Sequence, residues 1–164
     1  MWRMVLPPES FAGRPPGAVD RLSSSDLPAM QRLFAAADVL PDAFHPKQLE
    51  AGCFFGVWEG GALAAVAGTH VLSLVRSVAA IGNVFTRQDR RRHGLAKRTT
   101  GAVAEALLRQ GIQTIVLNVG MGNEAAVRAY RALGFVPFCG YYEGVGELSA
   151  YPATMEGNQH VGSV

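Results

Sequence analysis

Polar and apolar positions along the chain fall into segments of two different periods. Cys53 to Trp58 and Ala62 to Leu74 are apolar runs separated by Glu59-Gly60-Gly61, and a third run, Ser77 to Thr86, follows with no helical pattern between. Glycine accepts the positive backbone angles of a tight turn, so the first two runs predict a β-hairpin and all three an antiparallel meander. Three consecutive strands without helices argue against a doubly wound dinucleotide fold. After Gly94 the period changes. Leu95, Ala102, Val103, Ala106 and Leu107 share a helical face, which predicts a helix from Leu95 to Gln110 with Gly111 just past its end. Thr114 to Val119 is the next strand. A strand-helix-strand unit is parallel and right-handed, so this strand is expected beside Ser77 to Thr86. Asn123 suits the cap of a helix over Glu124 to Leu133, ended by Gly134, and Phe135 to Phe138 reads as a strand whose Pro137 belongs at an edge or bulge.

Upstream the punctuation is denser. Trp2 to Leu6 has strand character, but Pro7, Pro8, Gly13, Pro15, Pro16 and Gly17 give the following residues a linker's composition. Residues 1–17 are therefore expected to stand apart from the domain, as a linker or as the remnant of an upstream domain. Ala18 to Leu22 predicts a short strand, and Ser25 or Asp26 a cap for a helix from Leu27 to about Ala37, with Pro28 in its first turn. Leu27, Met30, Leu33 and Phe34 form its buried stripe. A second short helix is expected within Pro41 to Glu50. Residues 18–150 make one domain, and 151–164, small and polar, a disordered tail. The fold class is α+β, a central and mostly antiparallel mixed sheet flanked by helices.

With 164 residues, 49% hydrophobic and 17% charged, the chain has enough apolar material for a core, and extensive disorder is not expected. The net charge of +2 excludes a global basic field of the kind that binds nucleic acid. Charge is concentrated instead between Arg87 and Arg98. Cys53 and Cys139 lie far apart without metal-ligand spacing, which suits reduced thiols in the cytoplasm and no metal site. The opening residues lack the apolar core of a secretion signal, and the run from Gly61 to Val75 is too short and too interrupted for a membrane span.

The concentrated charge lies at a junction of strand, basic loop and helix. The first N–H groups of a helix have no internal partner and carry the positive end of its dipole, so an anion belongs there. Gly94 and Ala96 leave room for a phosphate to approach the amides, and Arg91, Arg92 and Lys97 add formal charge. The spacing Arg91-x-x-Gly94-x-Ala96 resembles the pyrophosphate loop of the GNAT family of N-acetyltransferases. Downstream, Asn123-x-x-Ala126-x-x-x-Tyr130-x-x-x-Gly134-Phe135 resembles that family's second signature. Both occur in the family's order, and the resemblance runs from about Ala18 to Tyr142. Gly82-Asn83-Val84-Phe85 and Tyr141-Tyr142-Glu143-Gly144 make it similar to the FR47-like branch.

The resemblance implies an N-acetyltransferase with acetyl-CoA as co-substrate and no metal. Val84, Phe85 and Thr86 would face the pantetheine arm, Arg91, Arg92, His93, Gly94, Leu95, Ala96 and Lys97 the pyrophosphate, and Tyr130 would be the general acid for the departing thiolate. Asn123 would touch the cofactor, although capping alone accounts for it. Tyr130 is equally placed for a core aromatic beside Ala126 and Leu133, and the arginines for a solvated face. An attacking amine must be neutral, so a base is expected, with His70, Glu143 and Tyr141 as candidates. The implied partner is a small-molecule amine or a peptide N-terminus, with a homodimer left open and neither nucleic acid nor membrane expected. Two other readings compete: a non-catalytic acyl-CoA-binding or protein-interaction module, and a nucleic-acid binder using the arginine loop.

Overall fold

The computed structural model describes residues 1–36 and 44–144. The strands are β1 (Trp2–Leu6), β2 (Asp20–Arg21), β3 (Phe55–Glu59), β4 (Ala62–Ser73), β5 (Val78–Thr86), β6 (Thr114–Val119) and β7 (Val136–Gly140). The helices are α1 (Leu27–Ala35), α2 (Lys47–Ala51), α3 (Leu95–Arg109) and α4 (Glu124–Arg131). All seven strands form one sheet in the order β2-β3-β4-β5-β6-β1-β7. Every neighbouring pair is antiparallel except β5 and β6, which the α3 crossover makes parallel. This is the mixed α+β architecture that the periodicity predicts.

The hairpin turns at Gly60 and Gly61, both at positive φ, as the glycine pair requires. Helices cover the sheet and define two main apolar clusters. Met4, Leu6, Ile115, Leu117, Val103, Leu107, Tyr130, Leu133 and Phe135 pack β1 and β6 against α3 and α4. Met30, Leu33, Phe34, Leu49, Phe54, Leu63 and Val66 pack α1 and α2 against β3 and β4. Covered on both sides, β4 is buried without alternation from Leu63 to Thr69.

Three expectations need correction. Residues 1–17 do not stand apart. Strand β1 occupies an interior place in the sheet, pairing with β6 from Trp2↔Val119 to Leu6↔Ile115 and with β7 on its other side. Met4 and Leu6 are fully buried, so apolar burial at alternate positions outweighs the proline-rich composition that follows. That proline-rich stretch is docked too: the Ala12 N–H donates to the Leu133 carbonyl at 3.2 Å, and Arg14 pairs with Glu105 on α3 at 3.5 Å. Second, neither Ser25 nor Asp26 caps α1. The Asp26 carboxylate turns back to accept the Ser23 N–H at 2.8 Å, closing a 3₁₀ turn over Ser24–Asp26 that leads into the helix. Third, the helix expected within Pro41 to Glu50 is α2, which begins only at Lys47. Residues 41–43 of that expectation, Ala37 at the end of the first helix, and the tail 151–164 lie outside the described residues. No described helix is long and apolar enough to cross a membrane.

The sheet is open at one point. Parallel pairing between β5 and β6 stops after Ile81↔Leu117, and beyond it the two strands part. On the β4 side β5 stays paired through Phe85 and Thr86, with irregular register around Thr69 and Gly68. At the parting point Asn83 sits at φ +50, and its N–H donates to His70 Nε2 at 3.1 Å. The Arg87 N–H likewise reaches back to Ala64 on the β4 side, at 2.8 Å. Successive residues of a strand present their backbone groups to opposite sides, so Val84 and Thr86 turn theirs to the open edge.

Candidate active site

Strand β5 delivers the chain directly to the basic loop. After Thr86 a 3₁₀ turn spans Gln88–Arg90, and Gly94, at φ +73, starts α3. A Cβ added at Gly94 would meet nothing within 4 Å, so glycine is needed there for its backbone angle and not for space. Arg92 is also left-handed, at φ +68. Left-handed and right-handed residues in alternation turn successive N–H groups inward, and such a nest binds anions. No side chain caps α3, which leaves its first-turn amides available. Leu95, buried against Val57, Ala64 and Ala65, anchors this end of the helix to the sheet.

The arginines divide into two groups. Arg87 pairs with Asp89 at 2.6 Å, and Arg90 pairs with Glu59 at 2.6 Å and with Asp89 at 3.4 Å. Arg90 braces the loop on the β3–β4 hairpin, and Arg87 ties the loop to itself. Arg91, Arg92 and Lys97 have no carboxylate within 4 Å among the described residues, and all three line a cavity of about 520 Å³. Val84, Phe85, Thr86, Gly94, Leu95, Ala96, Asn123 and Tyr130 line the same cavity. The structure thus brings together every residue expected to hold the cofactor except one. His93 is not in the lining; its exposed ring turns back to the Arg91 carbonyl, 2.9 Å from Nδ1. Sequence reasoning missed Ala125 and Ala129, whose small side chains open the α4 wall of the cavity. Their signal was spacing, two alanines one helical turn apart beside Tyr130.

A second cavity, of about 420 Å³, adjoins the first and shares Val84, Asn123, Ala126 and Tyr130 with it. It opens where β5 and β6 part, and its wall includes His70, Asn83, Asn118, Glu143 and Arg3. Tyr130 therefore stands where the two cavities meet. Its residue surface is 6% exposed, its ring lies edge-on to Phe135 at 6.1 Å, and no hydrogen bond among the described residues engages its hydroxyl. Burial disfavours the phenolate and pushes its pKa up to about 12, so the hydroxyl is a proton donor at neutral pH. Asn123 does cap α4, accepting the Ala126 N–H at 3.1 Å, and lines both cavities as well.

The three base candidates are placed unequally. Glu143 and His70 line the second cavity, but Nε2 of His70 is already occupied by the Asn83 N–H. Tyr141 stands behind the wall, its hydroxyl 3.5 Å from Glu143 Oε2. Burial and the neighbouring Glu143 raise its pKa. Among the described residues no group of three or more His, Cys, Asp or Glu side chains could hold a metal ion.

The residues present fit a pantetheine-linked diphosphate. The open β5 edge offers backbone partners to an extended amide chain, the buried Thr86 Oγ1 lacks a partner, and the uncapped α3 amides with three unpaired cations suit phosphate.

Comparison with known proteins agrees with this geometry. The model of the acetyltransferase (GNAT) family matches residues 21–135. The [ribosomal protein bS18]-alanine N-acetyltransferase of Escherichia coli strain K12 is 30% identical over 120 residues, covering 71% of this chain and 79% of its own. A solved GNAT-family acetyltransferase from Novosphingobium aromaticivorans superposes with a TM-score of 0.70 at 27% identity over 84% of this chain; the match spans 59% of that protein's length. The ribosomal-protein-S18-alanine N-acetyltransferase structure from Escherichia coli gives 0.59 at 26% identity, over 71% of this chain and 76% of that one. A family model that matches residues 21–135, most of the chain, means that this chain belongs to the acetyltransferase (GNAT) family.

Proposed function

We propose that the chain is an N-acetyltransferase that moves an acetyl group from acetyl-CoA to a primary amine by direct attack. The observation that carries this reading is the position of Tyr130 where the cofactor-sized cavity meets the groove between the parted strands. Acetyl-CoA would lie with its pantetheine along Val84 and Thr86 and its pyrophosphate on the α3 amides, Arg91, Arg92 and Lys97. The amine would enter from the β6 side. Holding both reactants in adjoining cavities makes the attack effectively unimolecular, which supplies a large part of the rate.

The amine nitrogen bonds to the thioester carbonyl carbon, the carbon–sulfur bond then breaks, and the electron pair leaves on sulfur. The Tyr130 hydroxyl stabilises that thiolate by donating to it. A complete proton transfer from a phenol of pKa about 12 to a thiolate of about 8.5 is uphill by roughly 5 kcal/mol. Tyr130 therefore acts mainly as a charge-assisted hydrogen-bond donor, and the proton that ends on sulfur is balanced by the one the attacking nitrogen releases. Glu143, on the groove wall, is the better placed of the base candidates to accept that nitrogen's proton, directly or through water.

Both cysteines are free thiols, which favours the cytoplasm, and Tyr141-Tyr142-Glu143-Gly144 supports the FR47-like branch. The acceptor is a small amine or a peptide N-terminus. The test is a panel of both kinds with acetyl-CoA, following free thiol. Amine-dependent thiol release is expected; a protein that acetyl-CoA stabilises against heat but that releases thiol with no acceptor would be a binding module, and one that acetyl-CoA does not stabilise would refute the reading altogether.

A further inference from the structure

Strand β1 does more than complete the sheet. Met4 and Leu6 face the α3 and α4 side, so Arg3, at the alternate position, faces the other side, where the second cavity lies. Its register partner on β6 is Asn118, and the Arg3 Nε donates to Asn118 Oδ1 at 3.2 Å. The guanidinium carbon lies 5.0 Å from the centroid of the Tyr141 ring, within cation–π range. Two contacts thus hold an otherwise exposed side chain against the groove wall. No carboxylate among the described residues lies within 4 Å of it.

With Nε used by Asn118 and no carboxylate partner, the terminal nitrogens beside the Tyr141 ring are the donors left to receive a carboxylate. Glu143 lines the same cavity, so the groove that reaches Tyr130 offers one anionic and one cationic side chain. The other titratable groups of the lining are Tyr130, His70, whose Nε2 is held by the Asn83 N–H, and the Met1 ammonium, which donates to the Tyr141 carbonyl at 2.8 Å.

We propose that Arg3 is a specificity-determining residue that reads a carboxylate on the acyl acceptor, so that this groove selects a small molecule carrying both an amine and a carboxylate. The proposal rests on the acetyl-transfer reading for the identity of the groove, but binding alone can test it. N-Acetylalanine and N-acetylalaninamide resemble acetylated products and differ only in that charge. Calorimetry in the presence of saturating coenzyme A is expected to show at least tenfold tighter binding of the carboxylate. Arg3→Met, which keeps the apolar stem, collapses that ratio to near one. Arg3→Lys, which keeps the charge but loses the guanidinium, leaves an intermediate ratio. Arg109→Met, at the exposed end of α3, is the control for a general loss of charge and keeps the parental ratio.

In turnover, alanine should likewise exceed alaninamide and an alanyl peptide amide, again with a ratio that depends on Arg3. Equal binding of the two probes, no binding of either at millimolar concentration, a preference that survives Arg3→Met, or equal turnover of the peptide amide overturns the proposal. An Arg3-dependent preference without transfer to any amine would leave Arg3 as a carboxylate reader and refute acetyl transfer. Transfer without the preference would do the reverse.

Discussion

Replacing Tyr130 by phenylalanine removes one oxygen and keeps the ring packed against Phe135, so binding, stability and turnover separate cleanly. The hydroxyl has no protein hydrogen bond to lose among the described residues, and the variant should be as stable as the parent at pH 8, within about 1 kcal/mol. Turnover should fall much further. A hydrogen bond to a charged partner contributes about 1.5 to 3 kcal/mol, which corresponds to roughly 10- to 150-fold in rate if it forms only as the thiolate develops. We expect kcat to drop by that factor, with acetyl-CoA affinity measured by calorimetry nearly unchanged. The alkaline side gives an independent check. The folded pKa of about 12 exceeds the unfolded value of about 10, so the stability linked to this proton is fully present below pH 10 and is lost as pH rises towards 12. Relative to Tyr130→Phe, the parent should lose about 1 kcal/mol between pH 10 and 11 in denaturant titrations. Parental kcat on a verified acceptor would leave Tyr130 a packing residue, and parallel pH curves would show that its hydroxyl is not desolvated.

Further predictions address the loop and the first strand. Arg91→Ala combined with Arg92→Ala should weaken coenzyme A binding by at least tenfold while leaving the melting temperature of the free protein unchanged, whereas equal affinity in calorimetry would mark a solvated face. Gly94→Val should cost about 1 to 2 kcal/mol for backbone angle alone, with Gly94→Asn recovering most of it in chemical denaturation; similar losses for both would point to a steric cause. Leu6→Ala should destabilise by about 2 to 5 kcal/mol, the range for a fully buried leucine, and a change below 0.5 would mean that β1 is not part of the cooperative fold.

What could be read from the sequence followed from how local each signal was. The hairpin turn at Gly60-Gly61, the helix from Leu95 and the strand at Thr114 rest on period and punctuation within one element, and the structure places all three within a residue or two. Most of the lining of the larger cavity was legible for the same reason: Val84 to Lys97 is a continuous strand, loop and helix start, and contiguity in the chain guarantees contiguity in space. His93 departs because the loop's left-handed turn at Arg92 swings its neighbours apart, and a residue list cannot show a backbone angle. Likewise the sequence could not sort Arg87 and Arg90 from Arg91 and Arg92, because the sorting is done by Glu59 and Asp89, and Glu59 lies about thirty positions away on the hairpin.

The first strand was harder, and the reason bears on function. Trp2 to Leu6 has the alternation of a half-covered strand, Met4 and Leu6 inward and Arg3 and Val5 outward, but its partners are β6 and β7, more than a hundred residues downstream. Nothing near it in sequence announces them, and the prolines that follow suggest a linker. Those prolines instead let the chain leave the sheet in a fixed direction and cross α4 and α3, held at Ala12 and Arg14. Pairing on both edges, regular with β6 and shifted in register between Arg3 and Met4 on the β7 side, ties β1 into the sheet, and a side chain on a strand is held in place more firmly than one on a loop. Arg3 occupies that strand on the groove side, whereas of the cations proposed to hold pyrophosphate Arg91 and Arg92 sit on a loop and Lys97 in the first turn of α3. The two ends of the site are therefore built differently. In the proposed reading a flexible diphosphate would be met by backbone amides and several cations, whereas the acceptor side would be lined by Arg3, held by Asn118 and Tyr141, and by Glu143.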